Sequence, residues 1–336
     1  MLVPSFWAEA TRHKPRGGRE DTQVTVLRFG WSNASQADAQ AMAEQRVEQA
    51  FQEILAGEPL ERFERRVAYN GADGLPIREE VLSRFGREGE VDEVVITRNS
   101  YGAHCLNTPS VLFADVDLNE DPPSWFSWAV FAVLVVLSVL VSIALRGALA
   151  ALVLIFVSAF AAKPLARVLK GLMGGAGRTP EDMALTQLSS FLSLHPSWGV
   201  RAYRTPKGLR MLVTHRTFAP DEGEVQGFFS SLGADELYVR MCRNQRCFRA
   251  RLSPKPWRIG MERHIVPRRA TWPVTDTEKL ARRKAWVEEY EEKAKAYAAC
   301  RFLGTYGKES IHVDVAQVVR MHDQACRALS TNLPLA

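Results

Sequence analysis

Asp115 and Asp117 are the first residues in the chain whose types and spacing suggest chemistry. They close an apolar run, residues 110–118 (SVLFADVDL), that reads as a strand, and positions i and i+2 of a strand face the same side. Two carboxylates held together repel unless a divalent cation or a basic group neutralises them. Phosphoryl-transfer enzymes hold Mg²⁺ or Mn²⁺ with such pairs. The plain alternative is a solvated acidic turn, because Asn119, Glu120 and Asp121 follow at once.

Two basic segments could handle the matching anion. In residues 204–210 (RTPKGLR), Lys207 and Gly208 sit in a tight turn whose backbone N–H groups and nearby ammonium could cradle a phosphate. Arg210 opens the next strand and could add a forked contact; otherwise this is an ordinary basic hairpin. Residues 235–260 begin with Asp235 and then carry Arg240, Arg243, Arg246, Arg249, Arg251, Lys255 and Arg258, with Phe248 and Trp257 between them. Seven cations in nineteen residues, interleaved with aromatics, could follow a nucleic-acid backbone and stack a base. They could equally lie against anionic lipid headgroups.

Taken in chain order, these segments resemble the motifs of the archaeo-eukaryotic primase (primase-polymerase) superfamily, over at most residues 90–260. In that family the acids of the first motif and the aspartate of the third bind divalent metals. Its second motif, Ser-x-x-x-Gly-x-His, holds the phosphates of the incoming nucleotide. The stretch LYVRMCRNQRCFRARLSPK is also similar to the segment that follows the third motif. The resemblance implies a metal-binding catalytic set of Asp115, Asp117 and Asp235, with Mg²⁺ or Mn²⁺. It implies phosphate contacts from Lys207, Gly208 and Arg210, and a nucleic-acid track of Arg246, Arg249 and Lys255. Arg210 stands where the family has histidine; a guanidinium holds phosphate but does not titrate near neutrality. The implied activity is nucleotidyl transfer, or nucleotide or nucleic-acid binding alone.

Other titratable groups suggest less. Cys105, Cys242, Cys247, Cys300 and Cys326 form no paired C-x2-C knuckles, and an odd number of scattered thiols suits a reducing compartment. The C-x4-C of Cys242 and Cys247 could bridge or bind metal. His195, His215, His264, His312 and His322 lack metal spacing and read as packing or exposed residues. Trp272 and Trp286 read as helix-face core.

The elements that must position these residues are interrupted by lipid-like sequence. Residues 122–145 carry no charge and, after Arg146, residues 147–162 carry none either. A bilayer core takes about 20 apolar residues as helix, so 125–145 is long enough to span. Residues 147–169 span if Lys163 and Arg167 reach to the interface. The reading is a two-helix hairpin over 122–170 that turns at Arg146 and Gly147, with Trp125 and Trp128 at one interface. Lys163, Arg167, Lys170 and Arg178 after the second helix, against Arg146 alone in the turn, place both soluble parts in the cytoplasm of a multi-pass inner-membrane protein.

Around the hairpin, strands are expected at 22–30, 93–97 and 110–118, as a pair at 200–203 and 209–215, and as a second pair at 236–242 and 247–252. Helices are expected at 34–55, from Thr179 onward, at 221–232, over the long charged stretch 275–303, and at 314–329. Residues 69–77 read as turns and 171–177 as a linker. The fold class is α+β, a mostly antiparallel sheet with flanking helices. Its parts are 1–121, the hairpin 122–170 (helices 125–145 and 147–169), 171–274, and C-terminal helices over 275–336. Of the 336 residues, roughly 280 lie outside the hairpin, enough for one large or two modest domains. A net charge of +5 suits anionic lipid or phosphate without proving either. The competing reading is a non-catalytic membrane-anchored scaffold whose C-terminal helices recruit a protein partner.

Overall fold

The computed structural model describes residues 1–14, 23–64, 76–86, 93–118, 124–144, 148–173, 179–267 and 272–336. The acidic run after Asp117, residues 69–75, the turn at Arg146 and Gly147, and residues 174–177 of the linker lie outside them. The chain forms two compact units, one of Met1–Asp117 with Leu188–Ala336, the other of Leu118–Gln187. It is α+β, and the named strand pairs are all antiparallel.

In the larger unit, β1 (Phe6–Lys14) and β2 (Val24–Ser32) make a two-stranded ribbon covered by α1 (Gln36–Leu55). Small residues let helix and ribbon approach closely: Ala39, Ala43 and Ala50 face Ala8, Ala10, Val24 and Val26. Gly30 makes this contact possible, since a Cβ there would stand 2.1 Å from the Ala39 carbonyl oxygen. Ser35 caps α1 by accepting the Asp38 N–H.

Two four-stranded sheets carry the rest. One has the order β3 (Glu80–Phe85), β4 (Val94–Arg98), β5 (His104–Thr108), β9 (Phe248–Arg251). The other runs β10 (Arg301–Gly307), β7 (Gly199–Thr205), β8 (Gly208–Val213), β6 (Phe113–Asp117). β8 is buried along its whole length. Around the sheets lie α5 (Gly223–Leu232), α6 (Glu236–Gln245), α7 (Thr277–Ala294) and α8 (Val313–Cys326). Trp286 and Tyr290 of α7 stack with ring centroids 5.2 Å apart and are buried, as a helix-face core requires.

Two expectations from the sequence are corrected. Residues 236–242 form helix α6, not a strand. The buried Tyr238, Met241, Cys242 and Gln245 recur at helical spacing, and the Asp235 carboxylate accepts the Tyr238 N–H at 2.8 Å, which starts the helix. The strand that follows, β9, therefore pairs with β5. The charged helix expected over 275–303 stops at Ala294, and Arg301–Gly307 joins the sheet beside β7, so the C-terminal part is not helical throughout. β1, β3 and β5 were not expected. β3 and β5 are short, and β1 carries a polar half, so alternation alone marks them weakly.

The smaller unit contains α2 (Ser124–Ala144) and α3 (Ala148–Met173). Both contain stretches long and apolar enough to cross a membrane. They meet through Ser138 and Ser158, whose hydroxyl oxygens are 3.2 Å apart, and each hydroxyl also donates to a carbonyl in its own helix. Small polar residues at such a contact allow close packing where lipid removes the hydrophobic driving force. Trp125, Trp128, Leu140, Ile143, Phe156 and Phe160 point outward. α4 (Pro180–Leu194) follows, with Thr179 and Asp182 bonded reciprocally at its start.

The half-buried His215 packs against Trp198 and Phe218, with Phe228 on the Trp198 ring, and its Nδ1 accepts the Gly199 N–H at 3.4 Å. Burial, then the Arg216 charge, push this imidazole down to about 4. The unfolded chain, with a histidine near 6.5, therefore takes up the proton first. Stability contributed by the neutral ring is full above pH 6.5 and is lost as pH falls toward 4. At pH 4 the loss should reach roughly 1 kcal/mol, since solvent screens part of the shift of a half-buried ring, and His215→Phe should remove it. A denaturation profile between pH 4 and 7 with the same slope in both proteins would refute this.

Candidate functional site: an acidic and basic cluster beside a buried thiol–imidazole group

The β6–β8 register places Asp115 opposite Arg210 and Asp117 opposite Gly208. Gly208 is required by the closeness of the strands, because a Cβ there would fall 2.0 Å from the Val116 carbonyl oxygen. Its glycine character thus serves strand pairing. Thr205 pairs with Gly208 across the turn that carries Lys207.

Arg210 turns inward. Its Nε and Nη2 donate to the two carboxylate oxygens of Asp115 at 2.8 and 3.1 Å, and Nη1 donates to the Arg251 carbonyl at 2.8 Å. The guanidinium is buried, and Asp115, after burial is set against it, holds it firmly charged. Arg210 is therefore engaged inside the protein rather than presented to a phosphate.

The start of α6 brings Asp235 to the same strand, where its N–H donates to the Asp115 carbonyl at 3.1 Å. Tyr238, one turn along α6, donates its hydroxyl to the Phe113 carbonyl at 3.0 Å and accepts the Arg249 N–H at 3.3 Å. A single side chain thus links β6 to β9. Partial burial, and then the charges of Asp235 and Asp115, raise the Asp117 carboxyl above its usual range, opposed by Lys207 and Lys255. The three acids therefore share one electrostatic neighbourhood with two lysines. Their carboxylates do not form a set with ligand atoms all within 4.8 Å; among the described residues, Cys300, His322 and Cys326 do.

Cations crowd the same place. Burial, then Arg251, Arg258 and Lys207, push the Lys255 ammonium down to about 8, with Asp117 pulling the other way. Burial and Arg251 also lower Arg258. Nε of Arg251 and Nη1 of Arg258 are buried donors with no hydrogen-bond partner among the described residues. Trp257 is exposed beside them, 5.3 Å from the Tyr101 ring and 5.4 Å from the Lys255 ammonium.

Of the expected nucleic-acid track, Lys255 joins this cluster and Arg249 does not. Arg249 is buried and bound to both carboxylate oxygens of Glu79, at 2.6 and 2.5 Å. Arg246 stands exposed at the C-terminal cap of α6, where φ is +48°. The strand-like reading of 236–242 had put these cations on one ribbon; the helix separates them. Arg251, Arg258 and Trp257 were visible in the sequence as members of a charged run, but nothing singled them out. Tyr101 carried no signal.

The second constellation was missed. Cys300, His322 and Cys326 are each fully buried. His322 Nε2 lies 3.8 Å from Cys300 Sγ, and Nδ1 lies 3.2 Å from Asp323 Oδ1. Asp323 is in turn held by Arg201 at 2.6 Å. Arg210 Nη1 stands 3.5 Å from His322 Nε2, so one arginine touches both constellations. A hydrogen bond from Cys326, together with the imidazole, holds the Cys300 thiol well below the usual range, while burial keeps Cys326 above it. The available signal was His322-x3-Cys326, one helical turn apart. Cys300, 22 residues upstream, hid the set from any short motif.

Comparisons with family models, with curated proteins and with solved structures return no match.

Proposed function

We infer that the chain is an integral membrane protein whose larger unit binds a phosphorylated ligand, a nucleotide or a nucleic acid, at the cluster around Asp117. The carrying observation is that Lys207, Arg251 and Arg258 crowd the partly buried Lys255, whose ammonium burial and then these charges push down to about 8. Cations that repel one another gain most from a polyanion, and the two unpartnered arginine donors call for acceptor oxygens. Trp257 offers a face for a base.

The three carboxylates do not already form a cation site, so a Mg²⁺ or Mn²⁺ ion would arrive with the polyphosphate and draw them together. Asp117 and Asp235 would hold it, with Asp115 contributing the lone pairs its arginine leaves open. Its chemistry would be neutralisation of charge on a transferring phosphoryl group. Nucleotidyl transfer is the activity this reading favours. α2 and α3 act as the membrane anchor, and the excess of basic residues after α3 puts the ligand site on the cytoplasmic side.

The test is equilibrium binding and incorporation of a labelled nucleoside triphosphate with Mn²⁺, using the detergent-solubilised chain. Wild type is compared with Asp117→Asn/Asp235→Asn, which keeps a capping side chain at 235. The expected result is Mn²⁺-dependent binding that the double substitution removes. Equal signal from both proteins would end the metal role. Binding without incorporation in wild type would leave a sensor or carrier rather than an enzyme.

A further inference from the structure

We propose that Cys300, His322 and Cys326 form a structural site for a soft divalent cation, best matched by Zn²⁺. This site is separate from the phosphate cluster, and its case does not rest on the function inferred there.

Four observations carry it. The donors are two thiols and an imidazole, the set that selects zinc over magnesium. The ligand atoms already lie within 4.8 Å of one another. Cys300 Sγ and His322 Nε2 are 3.8 Å apart, against about 3.6 Å for two ligands of a tetrahedral zinc with ordinary bond lengths. His322 turns Nε2 toward Cys300 Sγ while Asp323 engages Nδ1, and Arg201 fixes Asp323. That carboxylate–imidazole arrangement is the outer shell that orients histidine ligands in zinc sites.

Charge balances as well. Binding displaces both thiol protons to solvent, and two thiolates with a neutral imidazole neutralise the dication. When the metal takes His322 Nε2, Arg210 Nη1 gives up its 3.5 Å contact to that nitrogen and keeps its 2.8 Å bond to the Arg251 carbonyl. A non-protein ligand completes the fourth position. The elements joined are the start of β10 and the last turns of α8, so the metal would fasten the C-terminal helix to the edge of the sheet.

The experiment uses the full chain, purified in detergent without chelator. Metal content should be about one zinc per chain. Co²⁺ exchanged into the site should give a thiolate-to-cobalt charge-transfer band, which carboxylate ligands cannot produce. Cys326→Ser should abolish the band. Asp323→Asn, which leaves all three ligands in place, should weaken affinity about 10–100-fold. The wild-type cobalt spectrum decides the matter even where a variant fails to fold. Five free thiols on unfolding with no charge-transfer band would overturn the proposal. So would a Cys300–Cys326 disulfide in metal-free protein, detected as a mass lower by the two thiol hydrogens.

Discussion

Arg210→Met should cost the larger unit about 3 kcal/mol, the largest single-residue effect on stability expected in this chain. Arg210 is 2% exposed and its guanidinium meets the Asp115 carboxylate, the Arg251 carbonyl and, at 3.5 Å, His322 Nε2. Removing it leaves a carboxylate with no counter-charge and a buried carbonyl with one partner fewer. Breaking a buried pair from one side costs about 3–5 kcal/mol, because the surviving charge keeps its desolvation penalty. Asp115 is 33% exposed, so water relieves part of that penalty and the lower end of the range applies. Asp115→Asn in the same background should recover a substantial share, since the stranded charge is then gone. Denaturant unfolding of the three proteins measures this. A loss below about 1 kcal/mol for Arg210→Met, or no recovery in the double variant, would show that the fork contributes little.

The second large effect is on ligand affinity. Burial, and then the charges of Arg251, Arg258 and Lys207, push the Lys255 ammonium down to about 8 in the free protein. Below that pH it is charged and attracts a polyphosphate; above it the ammonium becomes neutral and the attraction fails. Nucleoside triphosphate affinity should therefore hold level between pH 7 and 7.5 and fall about tenfold by pH 9.5, a charge-assisted hydrogen bond contributing about 1.5–3 kcal/mol. The bound anion favours the charged form, so the midpoint should rise above 8 in the complex. Lys255→Gln should flatten the profile, and Lys207→Gln/Lys255→Gln should weaken binding about 100-fold at pH 7. Phosphate groups have completed their second ionisation above pH 7, so the ligand adds no step of its own. Affinity that does not change across pH 7–9.5 in wild type would remove Lys255 from the site.

Much of the fold could be read from residue order because local rules dominate there. The apolar blocks behind α2 and α3 leave few alternatives to lipid-length helices, and the start of α4 declares itself through Thr179, Pro180 and Asp182. The i and i+2 placement of Asp115 and Asp117 follows from strand geometry alone, as does the hairpin turn at Lys207. Local periodicity misled at residues 236–242, where Arg240 and Arg243 broke the apolar pattern into something like alternation. The cap from Asp235 settled the segment as a helix. It also misled at the end of α7, where a charged run gave no stop signal.

The sequence by itself determined the acids, the basic turn, the charged run and the interruption by lipid-like helices. Only the tertiary structure decided which of these meet. Arg210 reads as a phosphate ligand in one dimension, yet its buried strand position faces Asp115, and a desolvated guanidinium must take the nearest carboxylate. Arg249 is likewise bound to Glu79, a residue 170 positions away. Cys300, His322 and Cys326 come together because β10 joins the sheet edge beside α8. Spacing along the chain fixes contacts one turn or one strand pair away; sheet order and burial fix the rest.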